Sequence, residues 1–157
     1  MYHPPKQSAP AQVARPYFRP RILLVDDDPN NLYLLAKILA PFGQVEQTTN
    51  GHTAFAMFKA ALASNHRFHL LFLDIMMPEL NGRDLFRMIK DHESFWLDSN
   101  EAPTTIVMAS GIKDQGVIKE FLREGSEFYM TKPFRVEQIK KIMAALGLEA
   151  QLPNLEV

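Results

Sequence analysis

Apolar positions along this chain fall into two rhythms. The first is a pair of short runs with no polar interruption, Ile22-Leu23-Leu24-Val25 and Leu70-Leu71-Phe72-Leu73. Runs of this kind suit strands buried on both faces of a parallel sheet. Residues 45–48, 105–109 and 128–130 extend the set to five predicted strands. The second rhythm repeats every three to four residues, the mark of a helix with one buried face. It carries Leu32, Leu35, Leu39 and Phe42 in residues 31–42, and Ala54, Phe55, Phe58 and Leu62 in residues 52–64. It returns as Val136, Ile139, Met143 and Leu146 in residues 136–146. Residues 83–91 and 114–124 complete five predicted helices, and Gly125 and Gly147 stop the last two. Strand and helix alternate throughout, which predicts an α/β domain with a parallel sheet covered by helices on both faces. The polar stretch 92–103 is long for a connection and is expected to be an exposed loop.

Residues 1–20 break the pattern. They hold Pro4, Pro5, Pro10, Pro16 and Pro20, five of the eleven prolines, with Lys6, Arg15 and Arg19 and no acidic residue. Proline withholds ladder donors, and few side chains there could build a core. The expected organisation is a flexible, polyproline-like basic arm over 1–20, a domain over 21–147 and a C-terminal tail over 148–157.

Composition narrows the function. Hydrophobic residues make up 46% and charged residues 22%, which places the chain among globular proteins. A formal net charge of −1 argues against broad electrostatic binding of nucleic acid or anionic membrane. There is no cysteine, hence no disulfide framework and no thiol chemistry. No apolar run approaches a membrane span or a secretion signal, so membrane insertion is not expected and a cytoplasmic location is.

Ligands of open α/β sheets bind beyond the carboxyl ends of the strands. Asp26, Asp27 and Asp28 follow the first predicted strand and Asp74 the third. Ser110 follows the fourth, and Lys132 with Pro133 the fifth. Crowded carboxylates repel unless a cation joins them, and oxygen-only ligands at a shallow site favour Mg²⁺. A carboxylate there can attack phosphorus and form an acyl phosphate, while Lys132 neutralises the oxygens and Ser110 hydrogen-bonds the new group. Asp28, with Pro29 after it, reads instead as a helix cap. Ser110-Gly111 and Lys132-Pro133, each taken alone, also fit plain turns. Met76, Met77, Met88 and Met108 read as packing. His52, His66, His69 and His92 lack ligand spacing, and the stretch holding His66 and His69 is expected to be a solvated loop.

The segments Ile22-Leu23-Leu24-Val25-Asp26-Asp27-Asp28-Pro29, Leu73-Asp74-Ile75-Met76-Met77-Pro78 with Asn81-Gly82, and Lys132-Pro133-Phe134 resemble the response-regulator receiver family. The resemblance covers about residues 21–146. It implies a doubly wound, flavodoxin-like (CheY-like) five-stranded parallel sheet in the order 2-1-3-4-5. It implies Asp74 as phospho-acceptor, Asp27 as direct Mg²⁺ ligand, Asp26 as a ligand through water, and the Met76 carbonyl as a further ligand. It also implies Ser110 as switch hydroxyl, Tyr129 as switch aromatic and Lys132 as phosphate-binding lysine. Met76 and Ile112 stand two residues beyond the acceptor and the switch hydroxyl. Both are apolar, so the phosphorylated state is expected to decay slowly.

The function implied is that of a signalling domain in a two-component phosphorelay, not an enzyme in its own right. The expected donor is a sensor histidine kinase or a histidine phosphotransfer protein. The expected output is a downstream protein bound through the last helix and fifth strand, with no direct nucleic-acid contact. Eleven residues follow Leu146, too few for an output domain, so the chain reads as a single-domain regulator or the receiver portion of a larger protein. A haloacid-dehalogenase-type phosphatase would also use a strand-end Asp and Mg²⁺. It would place a second Asp two residues on, where this chain has Met76. The complete residue set speaks against a degenerate receiver that works without phosphorylation.

Overall fold

The computed structural model describes residues 18–151, so residues 1–17 of the expected arm and 152–157 of the expected tail lie outside the described residues. Five strands alternate with five helices. They are β1 (Arg21–Val25), α1 (Pro29–Leu39), β2 (Gln44–Thr48), α2 (Gly51–Ala63) and β3 (Leu70–Leu73). Then come α3 (Gly82–Trp96), β4 (Thr105–Ser110), α4 (Gln115–Glu124), β5 (Phe128–Thr131) and α5 (Val136–Ala145). The strands form one parallel sheet in the order β2-β1-β3-β4-β5, as expected.

The sheet divides the core in two. Leu23, Val25, Leu71, Leu73, Ile106 and Met108 face α2, α3 and α4 through Phe58, Phe86 and Phe121. Ile22, Leu24, Leu70, Phe72 and Val107 face α1 and α5 through Leu35, Leu39, Ile139 and Met143. Alternate residues of one strand serve opposite faces, so a strand buried on both sides must be apolar at every position. Every residue of β3 is buried for that reason.

Four helices open on a side chain that accepts a backbone N–H: Asp28, Asn50, Asn81 and Asp114. Asp28 accepts from Asn30 N at 2.9 Å, with Pro29 inside the first turn, as the sequence suggested. The apolar period placed α1 at 31–42, but the helix ends at Leu39 and Phe42 packs from the turn beyond it.

Two connections differ from expectation. Residues 92–96 are the last turn of α3, not loop. Glu93 is buried, and its Oε1 accepts the Thr104 N–H at 3.0 Å, tying the helix end to the start of β4. A buried acid that accepts from a distant backbone donor looks like a surface residue in sequence. Residues 66–69 are likewise not a free solvated loop. Phe68 is buried, and the His69 Nδ1 accepts the Arg21 N–H at 3.0 Å. Burial, followed by the charges of Arg67, His66 and Arg21, holds the His69 pKa below its ordinary value, consistent with a neutral acceptor ring.

Candidate functional site

The apolar strands β1 and β3 end side by side and carry their next residues out at the same level. Val25 pairs with Leu73, and the Asp74 N–H donates to the Val25 carbonyl at 2.9 Å. Asp26 and Asp74, one residue beyond that pair, are therefore neighbours, and both are buried. The Lys132 N–H donates to the Ser110 carbonyl at 2.8 Å, which aligns the ends of β4 and β5 with the same rim.

Asp26 is fixed by its surroundings. Its Oδ1 accepts the Asp28 N–H at 2.9 Å, and the Asn31 amide reaches Oδ2 at 3.3 Å. The ammonium of Lys132 lies 2.8 Å from Asp26 Oδ2 and 3.2 Å from Asp74 Oδ2. Asp74 Oδ1 accepts the Met76 N–H at 3.3 Å. Burial, and then the neighbouring Asp26 charge, push the Asp74 pKa up to about 6, against the pull of Lys132. Burial opposes the charge on Lys132, but its hydrogen bond to Asp26 and the two carboxylate charges outweigh this, and its pKa stands above the ordinary value.

Asp27 lies on the exposed rim. One carboxylate oxygen each from Asp26, Asp27 and Asp74 lie within 4.8 Å of one another. Three hard oxygen donors at that separation, one open to water, fit a hexacoordinate hard cation that keeps several waters. Soft ligands are absent from the cluster.

Ser110 is buried at the end of β4, where its Oγ accepts the Ile112 N–H at 3.3 Å. Tyr129 of β5 is half-buried and its hydroxyl donates to the Ile112 carbonyl at 2.9 Å. Burial, and then the Asp74 charge, raise the phenol pKa. The ring lies 6.3 Å from Phe121 of α4. Met76 is 65% exposed above Asp74, and Ile112 packs against the core edge. Asp26, Asp27, Asp74, Ser110 and Lys132 thus lie at the carboxyl ends of β1, β3, β4 and β5.

Two residues of the site carried little or no sequence signal of their role. Asn31 braces Asp26 from the first turn of α1, a position indistinguishable from an ordinary polar helix residue. Gly82, noted only as part of a motif, presses its Cα against the Asp74 backbone, as its near contacts show.

The sequence model of the response regulator receiver domain matches residues 22–144. The chain belongs to this family. PilH of Pseudomonas aeruginosa is 35% identical over 129 residues, covering 80% of this chain and 96% of PilH. The sensor histidine kinase GacS of Pseudomonas protegens is 29% identical over 139 residues, covering 86% of this chain but 14% of the kinase. The chain therefore spans about one-seventh of that relative. Among solved structures, the receiver fold recurs in the Saccharomyces cerevisiae complex of the histidine phosphotransfer signalling protein Ypd1 with the receiver domain of Ssk1. The TM-score is 0.69 at 24% identity, over 83% of this chain and 90% of that one. This protein is a receiver domain of two-component signalling, a signalling domain and not a conventional enzyme.

Proposed function

We propose that Asp74 accepts a phosphoryl group from a phosphorylated histidine and that the product state changes a partner-binding face. The observation that carries this reading is the Lys132 ammonium bridging two buried carboxylates beside an exposed third. With a pKa of about 6, Asp74 is ionised at neutral pH and available as a nucleophile. Its Oδ attacks phosphorus, the phosphorus–nitrogen bond to the donor imidazole breaks, and the electron pair leaves with the imidazole. Lys132 holds a phosphoryl oxygen in place of the Asp74 oxygen it now contacts. Asp26, Asp27, Asp74 and the Met76 carbonyl would hold Mg²⁺. A bound Mg²⁺ would neutralise phosphoryl oxygens and template the transfer.

Ser110 and Tyr129 form the switch in this account. Both now bond to the Ile112 backbone. The Ser110 Oγ accepts from Ile112, so its own proton is free to donate. A phosphoryl oxygen is a strong acceptor, the Ser110 hydroxyl turns toward it, and Tyr129 moves into the vacated space. The change is read on the face of β5 and α5 by a downstream protein. The donor is a sensor histidine kinase or a histidine phosphotransfer protein, in line with the Ypd1–Ssk1 complex of similar fold. The domain spans 21–147 between an arm and a tail, in the cytoplasm, with no direct nucleic-acid contact. Among the described residues no helix is long and apolar enough to cross a membrane. The phosphatase reading is not favoured, because its second acid would stand where Met76 does.

NMR with Mg²⁺ and the phosphate mimic beryllofluoride tests this switch. Amide shifts at Asp74, Ser110 and Tyr129 are expected together, and shifts confined to the acid pocket would contradict the mechanism. Asp27→Ala is expected to lose the Mg²⁺ response. Asp28→Ala is expected to keep it and to cost about 1 kcal/mol of stability through the lost cap. Equal loss of Mg²⁺ affinity in both variants would contradict the ligand assignment.

Met76 and Ile112 bear on how long the signal lasts. Hydrolysis of the acyl phosphate needs a water in line with the phosphorus–Asp74 bond. Neither side chain can orient that water, and both can shield the phosphoryl group. Slow self-dephosphorylation is expected, and Met76→Asn with Ile112→Glu should speed single-turnover decay severalfold. Decay of the double variant at the parent rate would end this reading.

A further inference from the structure

A second site lies beside the acid pocket. A cleft of about 500 Å³ opens between the β4–α4 and β5–α5 connections, lined by Lys113, Thr131, Lys132, Arg135, Gln138 and Lys141, with Pro133 and Glu137. Four cations face a single carboxylate in it. Lys132 is committed to Asp26 and Asp74. Among the described residues Lys113, Arg135 and Lys141 enter no ion pair. Asp114, beside Lys113, is occupied in capping α4. Like charges held around one concavity repel, and they lower their energy together when an anion enters.

The remaining lining sharpens the ligand class. Thr131 offers a hydroxyl and Gln138 an amide, while Pro133 is the one apolar side chain. The wall is rich in donors and poor in acceptors. The fitting ligand is compact and carries many acceptor oxygens. Arg135, the N-cap of α5, makes no side-chain cap bond, so its guanidinium is not held by the helix end. A guanidinium with several ammoniums suits adjacent phosphate groups.

We propose that this cleft binds a polyphosphate-bearing anion, supplied as a nucleoside diphosphate or triphosphate or as an inorganic polyphosphate chain. Lys132 forms the wall between the cleft and the acid pocket. The ligand and Asp74 therefore draw on one ammonium, and occupancy of the cleft weakens the hold on Asp74. The cleft shares Lys132 with the acid pocket, but it exists whether or not Asp74 is the acceptor.

The test is isothermal titration of the full chain with inorganic tripolyphosphate, without Mg²⁺, so that phosphorylation plays no part. One site is expected. Lys113→Gln, Arg135→Gln and Lys141→Gln combined should weaken it roughly tenfold or more. All three side chains are exposed, so the fold should be unaffected. Lys37→Gln, Lys59→Gln and Lys119→Gln combined remove equal charge elsewhere and should leave affinity unchanged. Tighter binding of ADP than of tripolyphosphate would assign the nucleoside source, and equal or weaker binding the bare phosphate chain. Absence of binding, an equal loss in the control triple variant, or equally tight binding of citrate would overturn the proposal.

Discussion

Gly82→Ala is expected to be the most damaging single-methyl change in the domain. A Cβ at this position would stand 2.0 Å from the Asp74 carbonyl oxygen and 2.6 Å from the Ile75 Cα. Both atoms are backbone, so no side chain can swing aside. The Gly82 N–H also donates to the Ile75 carbonyl at 2.8 Å, so α3 cannot back away without losing that bond. The loop carrying Asp74 must move instead. Overpacking of this severity costs about 3 kcal/mol, the upper end of the usual range. That corresponds to roughly 6–12 °C in Tm for a domain of this size. Phosphorylation should fall with it, because Asp74 leaves the reach of Lys132. Gly111→Ala is the control, since a Cβ there meets nothing within 4 Å. Calorimetric melting of both variants checks the pair, and equal Tm values would show that the close approach is unimportant.

Removing the ammonium at Lys132 should produce the other large effect, and one that depends on pH. Lys132→Met keeps the aliphatic stem but leaves Asp26 and Asp74 facing each other without a cation. Stripping one partner from a largely buried group of charges costs roughly 3 kcal/mol. Asp74 in the parent has a folded pKa of about 6, above its ordinary value. Between that ordinary value and 6 the native state holds more proton than the unfolded chain. The Asp74 contribution is therefore most favourable at the acid end of this window and is lost as pH rises through it. Without Lys132 the folded pKa rises further and the window extends upward. The deficit of the variant should be small near pH 5 and grow toward pH 8, as measured by urea unfolding without Mg²⁺. A deficit that does not change with pH would contradict this electrostatic account.

The strands and the acid pocket were legible for a shared reason. A strand covered on both faces must be apolar throughout, so the first polar residue after it marks the rim where ligands bind. Asp26 after Val25 and Asp74 after Leu73 are readable in that way. Their pairing across β1 and β3 was not, because register is a property of the assembled sheet. The end of α3 was hidden because Glu93 and His92 look like surface residues. One is buried against Thr104, and the other packs edge-on against Phe55 and Phe58. The His69 contact with Arg21 was hidden by the same distance in sequence. Asn31 and Gly82 show the limit most clearly. Their roles depend on which backbone atoms approach them in space, and residue type alone does not say.

Asp74 is the proposed phospho-acceptor. Intact-mass measurement after incubation with acetyl phosphate and Mg²⁺ tests it most directly, with the Asp74→Asn variant alongside. One added phosphate is expected on the parent chain, labile to mild base as an acyl phosphate is, and none on the variant. A parent chain that gains no phosphate, or an Asp74→Asn variant that gains as much, would contradict it.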